Sequence, residues 1–267
     1  MMSAEFDATL PFAICQELGL SVAYERSFKI CRGGLLANRY LIGIPTADLS
    51  VEQARQIASR MGLADSAHSF WSLYPDANLL LIGFEDAEPG TTYKLYLEFE
   101  EKPLEARVTR DQKALGVGRL LHRGIKWHPY HPDAARVSDY LWQTNLDAAA
   151  IRERASVSVE NEVIAAALNQ IIDQVLTKVT AEQLRYVVVV EGQRRSFDLN
   201  VYAANLRVGE VFASCVRIME VLGIAECADS LRLLVERAHL GHVAAGTDAF
   251  GQSFVTIYYE PTVPDLR

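Results

Sequence analysis

Five times along the chain, two β-rich runs with period-2 alternation flank a turn signal, and helical apolar stripes fall between these pairs. The sharpest example is Tyr24 to Ile44, YERSFKICRGGLLANRYLIGI, which reads as a hairpin turning at Gly33-Gly34. Alternation sends Val22, Tyr24, Phe28 and Ile30 to one face, and Glu25, Ser27 and Lys29 to the other. In the second strand Tyr40, Ile42 and Ile44 share a face and Arg39 lies opposite. The same grammar predicts strands over Asn78 to Glu85 and Thr92 to Glu100, Val117 to His128 and Val137 to Gln143, Gln183 to Glu191 and Arg195 to Ala203, and His239 to Thr247 and Ser253 to Glu260. The third pair is joined by the proline-interrupted turn HPYHPD.

Helices are expected over Asp7 to Leu18, Val51 to Met61, one long segment from Ala149 to about Val179, and Val208 to Leu222. Glu101 to Lys113 is too charged for core and reads equally as a short helix or a loop. The second and last units repeat one plan, a strand, polar turn, helix ending in Gly-Leu or Leu-Gly, then a hairpin. Ten antiparallel strands with helices on one side bury every apolar stripe against one sheet, and closing that sheet removes its edges. The expectation is an α+β fold over 1–267 as one domain, a ten-stranded antiparallel barrel with helices outside. An open sheet packed on helices is the alternative.

Half of the 267 residues are hydrophobic, enough for a substantial core, and no run approaches a membrane span or a secretory signal core, so a cytoplasmic location is expected. The net charge of −8 argues against a nucleic-acid surface. Cys15, Cys31, Cys215 and Cys227 lack metal or disulfide spacing and read as free thiols. His122, His128 and His131 do not have a zinc spacing, and His239 and His242 fall on opposite faces of one strand. No metal site is expected from protein ligands. Arg194-Arg195 reads as a solvated turn, and phosphate-binding glycine loops are absent.

If apolar faces look outward, the barrel interior holds Glu25, Ser27 and Lys29; Arg39; Lys94, Tyr96 and Glu98; His122, Lys126 and His128; Asp198, Asn200 and Tyr202; and Thr256 and Tyr258. Ten strands enclose a ligand rather than fill with side chains. Arg39, Lys94, Lys126 and Lys29 gathered in an acidic protein call for an anion, since desolvated cations short of acidic partners are costly. Tyr96, Tyr202 and Tyr258 can donate to phosphate oxygens or shield a carbocation with their rings.

The helix-hairpin plan with K-x-Y strands resembles the aromatic prenyltransferase barrel. The first hairpin is similar, without gaps, to that of cyanobactin-type peptide prenyltransferases, through Glu25, Ser27, Lys29-Ile30 and Leu36-Ala37-Asn38-Arg39-Tyr40-Leu41. YKLYLEF, RSFDLNVYA and SFVTIYYE follow that pattern more loosely. This chain has Tyr96 where some members carry a histidine, and it is shorter than is usual for the family. The resemblance implies transfer of a prenyl group from an isoprenyl diphosphate to a peptide or small-molecule acceptor, with Glu25 as general base and Arg39, Lys94 and Lys126 on the diphosphate. An allylic diphosphate ionises toward a cation and pyrophosphate, so Mg²⁺ on the diphosphate is an expected helper. Glu98 and Asp198 are reserve bases, and Lys29, His128, Asn200 and Thr256 are secondary candidates. YVVVVEG sets valines, Val190 among them, where an aromatic residue could close the prenyl channel, so geranyl as well as dimethylallyl donors are expected. The alternative is a non-catalytic barrel that binds an anionic ligand.

Overall fold

The computed structural model describes residues 6–64, 67–87, 90–99, 104–105, 118–192, 194–248 and 250–262. Ten long strands pair antiparallel in chain order: β1 (Ala23–Cys31), β2 (Gly34–Pro45), β3 (Leu79–Ala87), β4 (Gly90–Glu98), β6 (Gly118–His128), β7 (His131–Gln143), β8 (Arg185–Glu191), β9 (Arg194–Asn200), β10 (Leu240–Thr247) and β11 (Ser253–Thr262). β5 (Leu104–Glu105) is a two-residue addition paired with β6. Pairing of β4 with β6 and of β1 with β11 closes the sheet into a ten-stranded barrel.

Among the described residues seven helices wrap it: α1 (Leu10–Glu17), α2 (Val51–Arg60), α3 (His68–Trp71), α4 (Ala148–Val157), α5 (Glu162–Leu176), α6 (Val208–Leu222) and α7 (Ala228–Val235). Two apolar layers lie between helices and sheet. One joins α4 to α7 to the outer faces of β1 and β8 to β11, and the other joins α1 to α3 to those of β2 to β4 and β6. In α6 the stripe Val208, Val211, Phe212, Cys215, Ile218, Met219 and Leu222 is buried, each large side chain contributing about 1.5–3 kcal/mol. Because the helices take the outward apolar faces, the polar faces of the strands turn inward. Among the described residues no helix is long and apolar enough to cross a membrane, and all four cysteines are free thiols.

Several elements differ from the sequence expectation. The single long helix is two, broken over Ser158 to Glu160, because Asn161 accepts from the backbone N–H groups of Val163 and Ile164 and starts a new helix. α4 and α5 thereby fold back on each other across the barrel. β7 begins at His131, so Pro132 lies inside a strand and the turn is shorter than HPYHPD implied. β9 stops at Asn200, and Tyr202 sits in a 3-10 turn, Tyr202–Ala204, rather than on the strand. α3 and α7 were not anticipated. Most of Glu101 to Lys113 lies outside the described residues.

Candidate active site

Strand alternation divides the barrel interior into three levels. At one end a cavity of about 400 Å³ is lined by Glu25, Glu98, Asp198, His122, His242, Asn200 and Tyr202, with Leu41, Leu81, Leu121 and Val187 between them. Below it Tyr96, Tyr140 and Tyr258 form a ring layer, also on the cavity wall. Beneath the rings lie Arg39, Lys94, Lys29, Lys126 and Arg194 with Glu85 and Glu191.

The floor follows from register. Arg39 stands opposite Glu85 across β2 and β3, and Lys94 stands opposite Lys126 across the seam that closes the barrel. Arg39 is 7% exposed and donates from Nε to Glu85 Oε2 at 2.9 Å, while Lys94 Nζ donates to the same oxygen at 2.6 Å. Arg39 Nη1 also reaches the Thr256 hydroxyl at 3.4 Å. Lys126 Nζ bonds Glu191 at 2.6 Å, and Arg194 Nη1 donates to Glu191 at 3.1 Å. Two ammonium groups facing each other repel, and each is held by its own carboxylate. Lys29 lies over the Phe254 ring, 4.7 Å from its centre, and Arg194 over the same ring at 5.1 Å.

The cations therefore have partners, contrary to the sequence expectation, because Glu85 and Glu191 also point inward. The balance nonetheless stays positive, with five cationic side chains against two carboxylates on the floor. Burial opposes ionisation of Glu85, yet Arg39, Lys94 and Lys29 hold its carboxyl well below the usual range. Burial brings Lys94 down to about 7 against the pull of Glu85, and lowers Lys29 and Lys126 as well. A floor of this kind relaxes when an acceptor-only, multiply charged ligand arrives.

The chamber has the opposite character. Glu25 is half-buried on β1, and its Oε1 accepts from the Tyr202 hydroxyl at 2.5 Å. Gly241 permits this contact, since a Cβ there would lie 2.5 Å from both Glu25 Oε1 and the Tyr202 ring. Burial raises the Glu25 carboxyl, and nearby His242 offsets part of that rise. His242 Nδ1 lies 2.7 Å from Asp198 Oδ1 and His122 Nε2 lies 2.9 Å from Glu98 Oε2. Although burial disfavours its charge, Asp198, then Glu25 and Glu98, raise His242 to about 9, so an imidazolium stands among three carboxylates at neutral pH.

In the ring layer Tyr96 and Tyr140 meet edge to face, with centroids 5.6 Å apart. Gly124 makes room for them, since a Cβ there would come within 2.8 Å of the Tyr96 ring. Burial raises the Tyr96, Tyr140 and Tyr258 hydroxyls, which stay neutral and present π faces to the interior.

Of the sequence candidates, Glu25, Glu98, Asp198, Asn200, Tyr202, Tyr96 and Tyr258 converge on the chamber, and Arg39, Lys94, Lys126, Lys29 and Thr256 on the floor. His128 and Val190 do not join them. His128 ends β6 and meets the β6–β7 turn, where its Nδ1 accepts from the Tyr130 N–H and its ring lies 5.2 Å from His131. Val190 is one residue before Glu191, whose carboxylate points inward, so alternation turns Val190 to the outer apolar layer. Val187 faces the cavity instead, and Val189 shares its parity.

Sequence reasoning missed Glu85, Glu191, Tyr140, His242 and Arg194 as interior groups. Arg194 is not a solvated turn residue, because its guanidinium folds inward onto Glu191. Alternation alone places Glu85 opposite Leu80, Ile82 and Phe84 and so inward, but the partners these groups meet follow only from the register between strands.

No protein-family model and no curated protein matches this chain. Among solved structures, 5-dimethylallyltryptophan synthase from Streptomyces coelicolor superposes with a TM-score of 0.61 at 13% identity, covering 91% of this chain and 82% of that one. AnaPT from Neosartorya fischeri gives 0.56 at 13% identity, with 90% and 78% covered. 6-dimethylallyltryptophan synthase from Micromonospora olivasterospora, in complex with DMASPP and Trp, gives 0.53 at 16% identity, with 90% and 84% covered. At these identities the likeness is one of fold, and the chain has the ten-stranded, helix-wrapped barrel of the aromatic prenyltransferases.

Proposed function

We propose that this protein transfers a prenyl group, dimethylallyl or geranyl, from an isoprenoid diphosphate to a nucleophilic side chain of a peptide or to a small-molecule acceptor. The observation that carries the reading is the segregation of charge along the barrel interior, a cationic floor and a carboxylate chamber with tyrosine rings between them. Loss of pyrophosphate needs positive charge on the leaving group, which Arg39, Lys94 and Lys126 supply. The allylic cation formed as the C1–O bond breaks needs shielding from water by electron-rich faces, which Tyr96, Tyr140 and Tyr258 supply. The acceptor attacks C1 from the chamber, and its proton passes to the Glu25 carboxylate as the new bond forms. Tyr202 holds that carboxylate by its hydrogen bond, and the His242 imidazolium nearby favours its charged form.

The solved barrel from Micromonospora olivasterospora, in complex with DMASPP and Trp, supports the donor class. The resemblance of the first hairpin to that of peptide prenyltransferases is what favours a peptide acceptor over free tryptophan. Mg²⁺ fits this protein poorly as a protein-held ion. Glu85 and Glu191 are already taken by cations, and no group of three metal-ligating side chains converges among the described residues. Mg²⁺ would be held by the oxygens of the diphosphate itself, where it would add positive charge to the leaving group.

The test offers dimethylallyl and geranyl diphosphates together with a mixed panel of peptides and small aromatic acceptors, and reads mass gain on the acceptor. One prenyl unit added, with pyrophosphate released, is the expected result. Donor binding with no product on any acceptor returns the reading to a barrel that only binds an anion.

A further inference from the structure

The charge of the chamber is not spread evenly round its wall. Glu98 on β4 and His122 on β6 stand opposite each other across the seam that closes the barrel, His122 Nε2 lying 2.9 Å from Glu98 Oε2. Asp198 on β9, His242 on β10 and Glu25 on β1 form the other group, with His242 Nδ1 2.7 Å from Asp198 Oδ1. In strand order β2 and β3 separate Glu25 from Glu98, and β7 and β8 separate His122 from Asp198, so the two groups occupy opposite walls. The arcs between them present Leu41 and Leu81 on one side and Val187 on the other, and the cavity of about 400 Å³ lies in the middle.

An ionised carboxylate only accepts hydrogen bonds. Glu25 gives Oε1 to Tyr202, and its second oxygen takes no hydrogen bond among the described residues. Asp198 is matched by His242, and Arg185 at the cavity rim lies over the Trp142 ring, which leaves Glu25 and Glu98 to face each other across the cavity, each opposing the other's charge. A cation placed between two such groups turns their repulsion into attraction. Counting donors then separates the acceptor classes. An indole or a phenol offers one N–H or O–H and reaches one wall, and an ammonium is a compact point charge. A guanidinium is planar, carries N–H groups on opposite edges, and stacks its face on aromatic rings. We infer that the acceptor is a guanidinium, the side chain of an arginine in a peptide, held by its edges between Glu25 and Glu98 with its face toward Tyr96, Tyr140 and Tyr258. This inference rests on the prenyl-transfer reading and names the acceptor of that same site. In the transfer the C1–O bond of the donor breaks with its electron pair leaving on pyrophosphate, a terminal guanidine nitrogen bonds to C1, and the proton of that nitrogen passes to Glu25. The product is again a delocalised cation, which Glu98 continues to hold.

The probes are short capped peptides of one sequence that carry arginine, citrulline, lysine, tryptophan or tyrosine at a central position. Each is titrated calorimetrically into the full-length protein with dimethylallyl thiolodiphosphate present, and mass gain is read with dimethylallyl diphosphate in its place. The arginine peptide is expected to bind at least about tenfold more tightly than the citrulline peptide, which keeps the shape and loses the charge, and to gain one prenyl unit on its guanidine. Glu98→Gln, with thermal melting as the check on folding, narrows that difference. Equal binding of the arginine and citrulline peptides to the wild type overturns the assignment, and so does an unchanged arginine preference in folded Glu98→Gln. Transfer to the lysine, tryptophan or tyrosine peptide but not to the arginine peptide also overturns it, while leaving prenyl transfer in place. No mass gain on any peptide overturns it together with the peptide-acceptor reading.

Discussion

Glu25→Gln is the most discriminating single substitution. The carboxylate is half-buried, takes the Tyr202 hydroxyl on Oε1 at 2.5 Å, and stands close enough to His242 and Asp198 for both to shift its ionisation. Glutamine keeps the side-chain volume and an oxygen for Tyr202, so the Gly241 approach and the chamber shape are preserved. What disappears is the proton acceptor. General-base assistance is worth about 10²–10⁴ in rate, or roughly 2.7–5.5 kcal/mol of barrier. The floor lies below the tyrosine rings and shares no hydrogen bond with Glu25, so pyrophosphate affinity is expected within about twofold of wild type. Single-turnover prenylation with saturating donor and acceptor then falls by at least about a hundredfold. Turnover unchanged by the substitution would refute the base assignment and leave Glu25 as a structural partner of Tyr202. Loss of donor binding together with turnover would mean that the carboxylate organises the donor site, and the base would lie at Glu98 or Asp198.

Arg39→Ala and Lys94→Ala are each expected to weaken diphosphate binding by about 1.5–3 kcal/mol, and Arg39→Lys to recover little, because the guanidinium meets both Glu85 and Thr256; equal affinities in titration calorimetry would remove the diphosphate from this floor. Val187→Phe is expected to lower the ratio of geranyl to dimethylallyl transfer, whereas Val190→Phe, on the outer face, leaves that ratio unchanged; the reverse pattern would contradict the strand parity. His242 has a folded-state pKa of about 9 against 6.5 in a free chain, a raised value. Its contribution is therefore fully present below pH 6.5 and disappears as pH rises through about 9. Denaturant unfolding should show wild type losing roughly 2–3 kcal/mol more than His242→Gln between pH 6 and pH 9.5, and parallel curves would mean that His242 is neutral in the fold.

Much of this interior was legible before any coordinates, because period-2 alternation is a local property. Glu25, Lys94, Tyr96 and Glu98 each share a parity with inward neighbours on their own strands, and one hairpin suffices to assign the face. What alternation does not carry is which residue stands opposite which. Glu85 became the partner of Arg39 and Lys94 only through the β2–β3 and β3–β4 registers. A bulge broke the local rule elsewhere. The shift between Leu240 and His242 turns His242 inward, where it meets Asp198. Val190 was misplaced although Glu191 beside it held the information, since its parity is readable only once Glu191 is known to bond Lys126. The break in the long helix turned on Asn161, whose capping role competes with an uninterrupted apolar stripe on either side.

The location of a bound donor tests the division of the barrel most directly. A crystal structure with dimethylallyl thiolodiphosphate, which resists ionisation, is expected to place the diphosphate on the floor among Arg39, Lys94 and Lys126. The prenyl chain should lie across the Tyr96, Tyr140 and Tyr258 rings, with C1 turned toward Glu25. A diphosphate found in the carboxylate chamber beside Glu98 and Asp198, or on the barrel exterior, would contradict the account.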